Sequence, residues 1–268
     1  MGGTRAAGGA GLTGSLVACS WAGAMTAAQP EGPGGGGVCS LEVRWIFPGQ
    51  LAPAVTGWFG RFPAQAQALE DAYLLDPHLP GLSVKVRRGR ALEVKAYRGS
   101  PGLLQVAGRA RGRLESWQKW SFPCDRPSPG RADPAGWKLV SKRRRVSWFP
   151  LAGGPARPRV PGPGEGPGCA AELTEILTGN EAWWTLGFEA TGPDSLLRSG
   201  LQATATLVFA QPLPGGLELR LDDSRSYAQW LREQPGAAGH EGAEAAQGGA
   251  LPVTGRPSRA ASQSKETP

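Results

Sequence analysis

Short segments of this chain carry charged residues two apart, with both signs present, and that spacing constrains the fold more than any other feature. The segments are Ser40-Leu41-Glu42-Val43-Arg44, Ser83-Val84-Lys85-Val86-Arg87, Leu92-Glu93-Val94-Lys95 and Arg113-Leu114-Glu115, with Phe188-Glu189 extending the set. Residues i and i+2 share one face of a β-strand, so each segment gathers acids and bases on one face and apolar residues on the other. Two architectures satisfy this pattern. An open sheet would show its charged face to water, and opposite charges on neighbouring strands would pair there. A closed barrel would turn the same face inward and line a polar tunnel with it.

Seven strands are expected, over residues 39–47, 83–88, 91–97, 113–122, 137–148, 170–177 and 183–190, because these stretches are rich in Val, Trp, Leu and Thr. Arg88-Gly89-Arg90 and Thr178-Gly179-Asn180-Glu181 read as tight hairpin turns. Short helices are expected at 64–70, after Pro63, at 194–207, and at 226–234, where Tyr227, Trp230 and Leu231 repeat with helical spacing. The class is α+β, mainly antiparallel β, with a few flanking helices. On the strand over 137–148 two faces compete, and Lys142 and Arg144 are placed inward with Trp137 and Leu139 outward.

One folded domain is expected over 38–234, with a flexible Gly/Pro-rich loop at 152–168. Residues 1–37 hold one base, Arg5, and no acid before Glu31, which reads as a disordered or targeting-like leader. Residues 235–268 lack apolar periodicity and read as a disordered tail. No apolar run is long enough to span a membrane. The expected location is cytoplasmic, or a plastid or other organelle if 1–37 is a transit peptide.

A net charge of +7 favours anionic partners. Four scattered cysteines with no C-x-x-C pair signal neither a zinc site nor a redox motif. Cys124 and Cys169 have no neighbour in sequence that would activate them as nucleophiles. Two histidines, His78 and His240, supply zinc chemistry and a histidine-based triad poorly.

The order of segments resembles the CYTH-like domain of the triphosphate tunnel metalloenzyme family over about residues 40–231. Ser40 to Phe47 falls where that family has a Glu-x-Glu-x-Lys strand, and Asp71-Ala72-Tyr73-Leu74-Leu75-Asp76 resembles its Asp-x-Tyr-Tyr-Asp element. Ser83 to Arg87, Leu92 to Lys95 and Lys142 to Arg145 resemble its basic strands. Ala170 to Glu175 and Leu186 to Ala190 resemble its late acidic strands, and Ser226 to Leu231 its closing helix. The resemblance implies an eight-stranded, tunnel-like barrel, closed or nearly so. It implies Glu42, Glu172 and Glu189 as catalytic carboxylates holding Mg²⁺ or Mn²⁺. It implies Arg44, Lys85, Arg87, Lys95, Lys142 and Arg144 as the groups that bind the substrate. Three positions depart from the pattern: Ser40 stands where the first Glu belongs, Arg44 stands where the Lys belongs, and Gly187 replaces the first Glu of the late pair.

The sequence is compatible with three functions. The chain binds, and as a triphosphatase-like enzyme hydrolyses, a triphosphate or polyphosphate-type anion. Alternatively, it is a non-catalytic phosphate-anion binding module that has lost the metal site. A second alternative is a basic nucleic-acid-binding β-domain, using Arg109, Arg111, Arg113 and the Lys142–Arg145 run with Trp117, Trp120 and Trp148 as stacking platforms. Against that stands the ordinary role of strand tryptophans as core anchors.

Overall fold

The computed structural model describes residues 37–124, 136–151, 157–162 and 165–234. The expected leader (but for Gly37) and the expected tail lie outside the described residues, as does part of the loop at 152–168. Among the described residues, eight strands close into one antiparallel barrel. They are β1 (Val38–Pro48), β2 (Gln65–Leu74), β3 (Leu82–Arg87), β4 (Ala91–Val106), β5 (Ala110–Pro123), β6 (Trp137–Pro150), β7 (Gly168–Thr178) and β8 (Glu181–Thr191). Around the barrel the order is β1-β5-β4-β3-β2-β6-β7-β8, with β8 pairing back onto β1. The charged faces therefore have no open side.

Seven of these strands fall where the alternation placed them. The eighth, β2, overturns the expected helix at 64–70. Its sequence, Gln-Ala-Gln-Ala-Leu-Glu, consists of good helix formers, but helix propensity amounts to only tenths of a kcal/mol per residue. Backbone ladders to β3 on one side and β6 on the other outweigh it. The strand period is visible in hindsight, since Gln67, Leu69, Asp71 and Tyr73 alternate onto one face. Helix α1 (Pro53–Phe59) has no counterpart in the expectations; Pro53 sits in its first turn, where a missing N–H costs nothing. Strand β4 runs nine residues beyond Tyr97 because two register shifts, at Gly99 and Gly102, bend it rather than end it. Both glycines have positive φ, 121° and 114°.

The apolar core lies outside the barrel. Leu197, Leu201, Ala205 and Val208 of α2 (Asp194–Val208) pack with Val43, Trp45, Leu186 and Phe188 of the outer wall. Trp45 is fully buried, meets Phe188 and Phe209 edge-on at 6.4 and 6.3 Å, and donates its indole N–H to the Arg111 carbonyl at 3.0 Å. Each such buried side chain is worth about 1.5–3 kcal/mol. With its core outside, the barrel can keep a polar interior.

Helix α3 (Tyr227–Glu233) closes one end. Trp230 and Leu231 sit fully buried among Ile46, Tyr73, Val140 and Ile176, the inward apolar residues at that end of the strands. Arg232 fastens the helix to the loop before β3 by donating to the Pro80 carbonyl at 3.0 Å. Ser226 caps the helix, accepting the Gln229 N–H at 3.3 Å. Ser226→Ala is expected to cost about 1 kcal/mol, a fall of a few degrees in melting temperature. An unchanged melt would show that α3 does not depend on this cap.

Within the Gly/Pro-rich loop, Arg159 forms an isolated bridge with Trp148, each N–H reaching the other's carbonyl at 2.9 Å. Among the described residues, no helix is long and apolar enough to cross a membrane.

Candidate functional site

All nine side chains singled out in the sequence, Glu42, Arg44, Lys85, Arg87, Lys95, Lys142, Arg144, Glu172 and Glu189, line one cavity inside the barrel. Its volume is about 80 Å³, room for a handful of water molecules. Strand alternation delivers them: each is an inward position whose neighbours in sequence point to the outer wall. The inward placement of Lys142 and Arg144 holds, with Arg143 and Arg145 outside on Glu175 at 3.2 Å each.

The interior charges are organised as three knots. In the first, Asp71 is wholly buried and pairs with Arg87 at 3.0 Å, Lys142 at 3.0 Å and Lys85 at 3.5 Å. Lys85 and Arg87 are shared with Glu93, at 3.1 and 3.0 Å, and Lys119 approaches Glu93 at 3.6 Å. Lys142 also donates to the Tyr73 hydroxyl at 2.6 Å and sits 4.0 Å from the Tyr227 ring centroid. Burial opposes ionisation of Asp71, but Lys85, Lys142 and Arg87 outweigh it and hold its pKa well below the usual carboxylate range.

The second knot joins Glu172 to Arg44 at 3.0 Å and Arg144 at 3.2 Å, with the Thr174 hydroxyl donating at 2.8 Å. Arg44 also donates to Thr185 at 2.9 Å and stacks its guanidinium 4.5 Å from the Tyr227 ring centroid. Arg144 donates to Gln67 at 2.9 Å. Here too burial disfavours the charge on Glu172, and the two guanidiniums more than reverse it, pulling the pKa down.

The third knot centres on Lys95, which pairs with Glu42 at 2.5 Å and Glu189 at 3.3 Å. Glu42 stands opposite Glu189 on β8 and opposite Glu115 on β5, so three carboxylates cross three adjacent strands in one row. Burial and the facing Glu42 charge push the Glu189 pKa up. Burial likewise raises Glu115, against the hydrogen bond it accepts from Trp117 Nε1 at 3.1 Å.

Sequence reasoning left Asp71, Tyr73, Glu93, Glu115, Lys119 and Tyr227 out of the site. Glu93, Glu115 and Lys119 were legible as inward charges but were given no role. Asp71 and Tyr73 entered only through the Asp-x-Tyr-Tyr-Asp resemblance and were given no role, although the two-residue spacing of Leu69, Asp71 and Tyr73 carried the signal. Across the interior, among the described residues, six carboxylates face seven cations, which leaves one positive charge in excess.

The departures from the family pattern have structural consequences. Ser40 is buried and donates its hydroxyl to Glu42 at 2.9 Å. Gly187 lies between Glu172 and Arg44 in the β7–β8–β1 row. A Cβ there would stand 3.1 Å from Arg44 Cζ and 3.1 Å from the Val43 carbonyl oxygen. The absent side chain is what lets the Arg44 guanidinium cross strand β8 to Glu172. An acid lost at position 187 and a fork gained at position 44 are one geometric change.

The Mg²⁺ or Mn²⁺ site that the resemblance implied does not fit this donor set. Such ions want several oxygens converging at about 2.0–2.1 Å. Here an ammonium stands between Glu42 and Glu189, and two guanidiniums hold Glu172. Among the described residues, no group of three or more His, Cys, Asp or Glu side chains could hold a metal ion.

A closed eight-stranded barrel with a charge-lined interior matches what the sequence resemblance implied. No protein-family model matches the chain, and no curated protein matches it. Solved structures with a similar chain path include a conserved hypothetical protein from Pyrococcus furiosus, at 12% identity and a TM-score of 0.37, covering 70% of this chain and 98% of that one. The Mimivirus capping enzyme triphosphatase aligns at 11% identity and a TM-score of 0.35, over 64% of this chain and 89% of its own. The S. pombe Pct1 RNA triphosphatase, solved with the Spt5 CTD, aligns at 9% identity and 0.30, over 63% and 78%.

The remaining expectations concern exposed rings and thiols. Trp117 and Trp148 are buried, at 4% and 2% exposure, so neither offers a face to a nucleobase. Trp183 and Trp184 lie in different layers: Trp183 packs on Trp230 inside, and Trp184 stacks on Phe47 outside at 4.4 Å. Burial pushes the Cys169 thiol up to about 12, which leaves it inert as a nucleophile.

Proposed function

We propose that this chain binds a phosphate-rich anion, of the triphosphate or polyphosphate class, inside the tunnel and without a divalent metal. One observation carries the reading: cations from β1, β3, β4, β5 and β6 converge on a single cavity, and carboxylates that an anion could replace hold them in place. Arg44, Lys85, Arg87, Lys95, Lys142 and Arg144 would then donate to phosphate oxygens. Charge-assisted hydrogen bonds of this kind are the strong ones, and the arginine fork suits phosphate geometry.

The cavity as it stands is small for a triphosphate, so the anion would exchange partners rather than fill an open space. Phosphate oxygens would take the positions of Glu172, Glu93 or Asp71 around each base. The bases are already ordered by their present partners, which lowers the entropy cost of binding. Helix α3 blocks one end, so the anion would enter from the end where Arg87 and Lys119 lie. Those cations, at 20% and 19% exposure, are among the more exposed of the lining.

Calorimetry with tripolyphosphate in EDTA tests this. Binding in the micromolar range, about −8 kcal/mol, is expected, together with no phosphate release above a Glu42→Ala control. Binding that requires Mg²⁺ or Mn²⁺, or metal-dependent phosphate release, would replace this reading with that of a hydrolase. The nucleic-acid alternative loses two of its three stacking platforms to the interior.

A further inference from the structure

We infer that Lys95 is the resident cation of this tunnel: its ammonium holds, between Glu42 and Glu189, the position a divalent ion would need, so the chain carries its own countercharge. This goes beyond the anion reading by giving one residue the role that the resemblance assigned to a metal.

The argument starts from strand order. Glu189, Glu42 and Glu115 face one another on β8, β1 and β5. Like charges directly opposite on neighbouring strands destabilise a sheet, and these lie in a largely desolvated interior. Some cation must offset them. Lys95 comes from β4, on the far side of β5, and its side chain crosses that strand to reach Glu42 at 2.5 Å and Glu189 at 3.3 Å. Burial works against its charge, and Glu189 and Glu42 more than restore it, so its pKa lies above the ordinary lysine value. A divalent ion brought to the same oxygens would meet a fixed positive charge at contact distance. Coulomb repulsion at such a separation is severe in a protein interior. Ser40 adds a hydroxyl to Glu42 where the family pattern has a carboxylate, so the row carries one negative charge fewer than that pattern would give it.

The second knot follows the same logic. Arg44 and Arg144 occupy both oxygens of Glu172. No carboxylate of the expected metal set is left without a cationic partner.

The test is Mn²⁺ titration followed by electron paramagnetic resonance and by thermal melting, on wild type, Lys95→Met and Glu42→Gln/Lys95→Met. Wild type is expected to leave the aqueous Mn²⁺ signal unchanged. Lys95→Met is expected to take up Mn²⁺ at least tenfold more tightly and to melt higher when it is present. Glu42→Gln/Lys95→Met should return to wild-type behaviour. Wild-type uptake equal to that of Lys95→Met would overturn the inference. So would a Lys95→Met protein whose signal and melt both ignore Mn²⁺, and the melt reads this even if the variant is only marginally folded. Tripolyphosphate calorimetry on wild type in EDTA separates the two claims. No binding there would sink the anion reading, while the Mn²⁺ arms still decide the role of Lys95.

Discussion

Asp71→Asn is expected to lower the melting temperature by roughly 10 °C and, in the same protein, to tighten metal-free anion binding by about tenfold. The first effect follows from burial. Asp71 has no exposed surface and anchors Lys85, Arg87 and Lys142. Removing one partner of a buried ionic group costs about 3–5 kcal/mol because the others stay buried without compensation. For a domain of this size each kcal/mol shifts the melt by about 2–4 °C. Asparagine keeps the shape, so the loss reports charge rather than a cavity. The second effect has the opposite sign because the interior charge rises by one, and three bases lose the carboxylate with which an anion must compete. A variant both less stable and weaker in binding would show that Asp71 positions the bases rather than occupying them.

The same substitution changes the response to acid. The folded pKa values of Asp71, Glu93 and Glu172 are all held below their ordinary values. A depressed folded pKa contributes stability that is present above the unfolded value, near pH 4, and is lost as pH falls from there through the folded value. Wild type should therefore lose stability steadily below about pH 4. Asp71→Asn, lacking one of these groups, should show a shallower loss when melts are recorded over that range. A slope equal to that of wild type would mean that Asp71 is not among the groups that govern acid unfolding.

Arg44→Met is expected to weaken tripolyphosphate binding at least a hundredfold. Arg44 bridges Glu172 and Thr185 and lies over Tyr227, so β7, β8 and α3 together hold it. Loss of two charge-assisted hydrogen bonds at about 1.5–3 kcal/mol each accounts for the size. Arg44→Lys keeps the charge but not the fork, since an ammonium cannot hold Glu172 and Thr185 in one plane. It should recover part of the affinity. Calorimetry in EDTA on both variants checks this, and affinities within threefold of wild type would remove Arg44 from the binding set.

How far the site was legible depended on whether the chemistry lay within a strand or between strands. The inward faces of β1, β3, β4 and β6 could be read because side chains alternate with a period of two, whatever the fold around them. Lys142 and Arg144 were placed correctly on that ground. Strand β2 was misread because six helix-forming residues precede Asp71, and local propensity says nothing of the ladders that β3 and β6 supply. Helix α1 was missed because seven residues starting at a proline leave too short a period to detect. Gly187 appeared only as a lost acid. Its use, to clear a path for Arg44, depends on a neighbour 143 positions earlier in the chain.

By itself the sequence determined the signs and the faces: acids and bases on one side of each strand, apolar residues on the other, and two acids thinned from the set. The tertiary structure decided the pairing. Closing the barrel set Glu42 between Glu189 and Glu115, brought Lys95 to Glu42 across 53 residues and Arg44 to Glu172 across 128. Whether a carboxylate meets a metal, a phosphate's base or a resident lysine is a matter of a few ångströms between strands. Strand order and register set those distances, and neither is written in any one segment.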